Sequence, residues 1–64
     1  MVLKDKRLKK NLTMRQVSEA SNISESFYSM IENGERRPSV ETAKKIAAVL
    51  GFDWTLFYPD EKGA

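Results

Sequence analysis

Residues 23–34 read ISESFYSMIENG, and the way this stretch folds decides the rest. Ser24 is an N-cap residue, and Ile23 before it packs back over the first turn. Asn33-Gly34 is a stop, because glycine enters the left-handed region without a side-chain clash. The spacing predicts a short helix over 24–33. At 100° per residue, Phe27, Tyr28 and Ile31 fall on one side, while Ser26, Ser29 and Asn33 line the other, flanked by Glu25 and Met30. A helix face that only has to meet water usually carries lysine and glutamate, which favour the helix more than serine does. Small polar side chains on an outer face let something large come close.

The same punctuation extends in both directions. Thr13 and Gln16 have the capping-box spacing, so a helix is expected over 14–20 with Val17 and Ala20 inward. Residues 21–24 then form a turn of about four residues. Downstream, Pro38-Ser39 opens a helix over 40–50 whose Val40, Ala43, Ile46, Ala47 and Leu50 make an apolar stripe closed by Gly51. Upstream, Leu3, Leu8 and Leu12 belong to a basic first helix over 2–10. Asp53 caps a last short helix, WTLFY, which Pro59 ends. No alternating run is joined by a hairpin dipeptide. The expectation is an all-α, compact five-helix bundle over 1–59 and a tail over 60–64.

Composition narrows the chemistry. The 64-residue chain contains no cysteine and no histidine, so disulfides and the usual zinc ligand sets are not expected. With no glycine-rich phosphate loop and no paired carboxylates at a plausible spacing either, no enzyme, cofactor or metal site is expected. The amino terminus lacks the apolar run of a signal peptide, and no stretch approaches a membrane span. A cytoplasmic protein is expected.

Charge is uneven along the chain. Residues 1–18 carry six basic side chains against Asp5, residues 19–35 hold four glutamates and no base, and Arg36, Arg37, Lys44 and Lys45 then outweigh Glu41. Taken singly, these charges read as an ordinary solvated surface.

The order of a capped helix, a four-residue turn, a second helix ending in IENG, then basic residues, a proline and SVETAKKIAAVLG resembles the Cro/CI-type helix-turn-helix domains of the XRE family. The match runs from residue 3 to 58, and "ISESFYSMIENGERRPS" and "AKKIAAVLGFDW" carry it. The resemblance implies a lambda-repressor-like fold whose second motif helix lies in the major groove of double-stranded DNA while the preceding helix crosses the backbone. Carried over by position, Ser24, Glu25, Ser26, Ser29 and Met30 become base-facing. Thr13, Arg15, Phe27, Asn33, Arg36 and Arg37 become phosphate-facing, with Phe27 half in the core. The helix over 14–20 is expected to aim its first amides at a phosphate. The sequence assigns no role to Lys4, Lys6, Lys9 or Lys10.

Four positions depart from the family pattern. Met14 stands where many relatives have a glutamine that contacts the backbone, and Arg15 is the available substitute. Glu25 can accept from cytosine N4, and Met30 offers apolar contact only, such as to a thymine methyl, which shifts part of the expected specificity onto DNA shape. Asn22 occupies a turn position where glycine is frequent, a tolerable change because asparagine enters the left-handed region.

Phe52, Trp54, Phe57 and Tyr58 crowd the carboxyl end. Leu56 and Phe57 are expected to close the core, and Trp54 and Tyr58 to remain exposed as the seam of a homodimer on a palindromic operator. The expected function is transcription regulation as a repressor, with no small-molecule effector inferred. The alternative is a protein-interaction module on the same fold that has lost DNA binding.

Overall fold

The computed structural model describes residues 2–58. Four α-helices occupy Leu3–Lys9 (α1), Met14–Ala20 (α2), Glu25–Glu32 (α3) and Val40–Leu50 (α4), and a 3-10 turn covers Trp54–Phe57. No strand occurs among the described residues. The expected tail over 60–64 lies outside them.

The bundle has four α-helices where five were expected. The segment after Asp53 stops at a single 3-10 turn for two reasons. Asp53 Oδ1 accepts from the Thr55 amide at 3.0 Å, which holds a tight start. At the other end Tyr58 precedes a proline, which steers it out of the helical region, and it sits at φ −131°, ψ 59°.

Three of the α-helices, α2, α3 and α4, begin at a capping threonine or serine, while α1 follows Val2 without a side-chain cap. Thr13 and Gln16 form the reciprocal capping box, with the Gln16 amide donating to Thr13 Oγ1 at 3.0 Å and the Thr13 amide donating to Gln16 Oε1 at 2.8 Å. Ser24 Oγ accepts from the Phe27 amide at 3.0 Å, and Ser39 Oγ from the Thr42 amide at 3.2 Å.

All four end alike, each on a left-handed residue: Asn11 (φ 57°), Asn22 (φ 61°), Gly34 (φ 82°) and Gly51 (φ 75°). After α2, the Ile23 amide donates to Ser18 O at 2.9 Å and the Asn22 amide to Glu19 O at 3.1 Å. After α3, the Glu35 amide reaches Met30 O at 2.8 Å and the Gly34 amide Ile31 O at 3.1 Å. These nested bonds use carbonyls that a helix end otherwise leaves open. The residue after three of the four stops is apolar, and Leu12, Ile23 and Phe52 all pack against the core. A helix of seven or eight residues is marginal in isolation, so a defined start, a defined stop and tertiary packing are all needed.

Leu3, Val17, Tyr28, Ile31, Ile46 and Leu50 form that core. α2 packs on both α3 and α4, and the 3-10 turn packs on α4. Ala43 and Ala47 are buried on α4, where small side chains permit close approach. Four apolar residues expected inward are exposed instead: Leu8, Ala20, Val40 and Leu56. At the carboxyl end the roles of two residues are exchanged. Tyr58, expected at an exposed seam, is only 7% exposed, while Leu56, expected in the core, is 41% exposed. In a 3-10 turn residues two apart cannot share a face, and Tyr58 takes the inner position because its hydroxyl donates to Pro38 O.

Candidate nucleic-acid interface

α3 presents two different sides. Tyr28 and Ile31 are buried and Phe27 is half-buried against the core, whereas Ser24, Glu25 and Ser26 face water and Ser29 and Met30 are half-buried. Among the described residues, no other element covers the Ser24–Ser26 end. The turn before it is set by the left-handed Asn22, which stands where a residue other than glycine or asparagine would be strained. Ser24 already uses an oxygen lone pair as the cap, which leaves its hydroxyl proton to donate outward.

Thr13 and Arg15 are both exposed at the start of α2. The capping box consumes the Thr13 and Gln16 amides, so the amides of Met14 and Arg15 are the first-turn donors without an intrahelical partner. Arg15 Nε lies 3.4 Å from Glu19 Oε2 on a well-exposed surface, a pairing that costs little to exchange for another anion. Met14 is partly buried, with its side chain packed against the core.

Past α3, the amides of Glu35 and Arg36 both donate to Met30 O, at 2.8 and 3.3 Å, which fixes the entry of the loop that carries Arg36 and Arg37. Asn33, Arg36 and Arg37 are exposed. The Arg37 guanidinium lies over the Tyr58 ring, 5.5 Å from its centroid, and Tyr58 also bonds Pro38 O. The carboxyl end therefore straps the basic loop from behind. Between them runs an open groove lined by Ile31, Pro38, Leu56 and Phe57. Trp54 is half-buried, with Lys44 Nζ 5.3 Å over its ring and Tyr58 edge-on at 6.0 Å.

A buried polar cluster lies beneath this surface. Arg7 Nε donates to Glu32 Oε2 at 2.8 Å, Nη2 to Glu32 Oε1 at 3.3 Å, and Nη1 to Leu12 O at 2.9 Å. The bond to Glu32 holds the Arg7 proton more firmly than usual, outweighing the opposing effect of burial. The Tyr28 hydroxyl is buried beside the pair without a well-formed hydrogen bond. Burial, reinforced by the Glu32 carboxylate, pushes its phenol well above the ordinary range.

A Helix-turn-helix family model matches residues 3–57 of this chain. The chain belongs to this helix-turn-helix family, HTH_3, of the XRE type. Helix-turn-helix relatives include YqaF of Bacillus subtilis (strain 168), named an uncharacterized HTH-type transcriptional regulator, which is 52% identical over 58 residues, covering 91% of this chain and 76% of YqaF. The ImmF control region 10 kDa protein of Bacillus phage phi105 is 36% identical over 52 residues, covering 81% of this chain. The helix-turn-helix fold also superposes on a chain of the SinR protein/SinI protein complex with a TM-score of 0.80 at 23% identity, covering 95% of this chain. The chain spans 58% of the length of the phage protein and 63% of that SinR/SinI chain. The family is of a DNA-binding, transcription-regulating type and not an enzyme family, and no helix among the described residues is long and apolar enough to cross a membrane.

Sequence reasoning on this helix-turn-helix missed Arg7 and Glu32. It counted Arg7 among the amino-terminal bases and Glu32 among the acidic run. One signal was available: both fall on the same side of their helices as core residues, Arg7 four positions after Leu3 and Glu32 four after Tyr28.

Proposed function

We propose that this protein is a sequence-specific DNA-binding transcriptional regulator, a repressor that docks α3 in the major groove and binds a palindromic operator as a homodimer. The observation that carries the reading is the bare outer end of α3. Ser24, Glu25 and Ser26 stand in water on a helix whose other side is core, directly after a helix-turn-helix turn. In this reading these three residues with Ser29 and Met30 face base edges. Thr13, Arg15, Asn33, Arg36 and Arg37, with the edge of Phe27, face phosphates, and the Met14 and Arg15 amides supply the helix-end contact. The kinship with a phage control-region protein supports repression. The dimer seam combines Trp54 with the exposed Leu56 beside it, and Tyr58 contributes from below by holding the turn in shape.

Selection from a random duplex library, followed by footprinting, tests the whole reading. A repeated half-site with centres ~34 Å apart along the axis is expected. Recovery of no common sequence would refute it.

A protein-interaction module on the same fold is the second reading. It is favoured by the exposed carboxylate of Glu25 at the start of α3 and by Met14 packed partly against the core. The structural likeness to a chain of the SinR protein/SinI protein complex is compatible with it. Salt titration separates the two, because a DNA binder loses affinity steeply as salt rises, in proportion to the phosphates neutralised.

A further inference from the structure

We infer that Arg7 is a positioning residue for base reading: from beneath the surface it sets the angle at which α3 leaves the body of the protein. The inference rests on the DNA-binding reading above.

One guanidinium spans three elements. Arg7 belongs to α1, Glu32 is the last residue of α3, and Leu12 directly precedes Thr13, the cap of α2. The fork donates to both Glu32 oxygens, at 2.8 and 3.3 Å, and to Leu12 O at 2.9 Å. The paired side chains are 9% and 7% exposed, so Arg7 does not reach a phosphate itself.

Directionality makes this more than a stabilising contact. α3 meets the core through Phe27, Tyr28 and Ile31, and apolar packing is non-directional, leaving a short helix room to tilt. A planar fork on a carboxylate admits few orientations. The clamp also sits at the opposite end of α3 from Ser24–Ser26. An eight-residue helix is about 12 Å long, so a ~10° swing pivoting on Glu32 moves the Ser24 end by about 2 Å. That displacement exceeds what a hydrogen bond to a base tolerates. Because Leu12 O is held by the same group, the base-reading end of α3 and the start of α2 are kept in register.

The test compares Arg7→Lys, and the double variant Arg7→Met with Glu32→Leu, against the parent chain at a temperature where circular dichroism shows each fully folded. Three quantities are read: affinity for the operator recovered by library selection, affinity and salt slope on a random duplex, and the orientation of α3 relative to α2 and α4 from backbone residual dipolar couplings. The expected result is a reoriented α3 and operator affinity reduced by ~10-fold or more, with random-duplex affinity and salt slope unchanged. The double variant is expected to keep its stability, because apolar replacement of a buried pair is often tolerated, and to lose the operator preference all the same. An unchanged α3 orientation, or unchanged operator affinity in folded variants, overturns the inference and leaves Arg7 a structural residue. An equal loss on both DNAs with a shallower salt slope also overturns it, since that pattern marks direct phosphate contact. Should the parent chain prefer no DNA sequence, the DNA-binding reading fails separately, and the α3 orientation alone decides the clamp.

Discussion

Arg7 and Tyr28 show how much one side chain can cost when its partner is removed. Arg7→Met leaves Glu32 as an uncompensated buried charge and is expected to destabilise the fold by about 3–5 kcal/mol in urea melts, whereas adding Glu32→Leu recovers most of that loss. Tyr28→Phe removes a buried hydroxyl that makes no well-formed hydrogen bond, so at neutral pH it is expected to change stability little. Its effect grows in alkali. The unfolded phenol ionises near 10.0 while the folded one keeps its proton, so the parent chain is fully stable below that pH and weakens as the pH rises above it. The phenylalanine variant is expected to lose less stability over the same interval, measured as the difference between the two chains from pH 9 to 11. A parallel decline in both would show that Tyr28 does not carry the alkaline loss.

At the scale of the element, the proposed reading divides recognition between α3 and the loop that follows it. Arg36→Ala and Arg37→Ala are expected to weaken binding to every duplex alike and to lower the salt slope by about one each, while Glu25→Ala and Ser26→Ala change which sequences are preferred. The reverse pattern in competition assays would exchange the two assignments. Tyr58→Phe removes the hydroxyl strap to Pro38 and is expected to reduce affinity for all duplexes by a few fold without altering preference. The elements themselves were legible in the sequence because their boundaries are local chemistry. Thr13, Ser24 and Ser39 cap as their neighbours dictate, and Asn22, Gly34 and Gly51 stop as left-handed residues do. Asn11 follows the same rule and went unread. Arg7 was not legible because a base reads as surface unless its partner is known, and Glu32 lies 25 residues away. The exchange of Tyr58 and Leu56 was hidden for a related reason: a four-residue turn has no periodicity long enough to show which side faces in.

For the molecule as a whole, the proposed reading requires pairing. Trp54→Ala is expected to lower operator affinity and to shift sedimentation toward the monomer, with single half-site binding little changed; unaltered sedimentation and affinity would remove the carboxyl end from the seam. The aromatic end has a second property that bears on handling. Lys6 lies 5.1 Å from the centroid of Phe52, Arg37 covers Tyr58, and Lys44 covers Trp54. Each cation shields a ring that would otherwise meet water, at about 0.5–1 kcal/mol apiece for exposed sites. Acylating the lysine amines would strip two of these shields at once, and the protein should turn sticky and self-associate. Reductive methylation, which keeps the positive charge, should leave it well behaved.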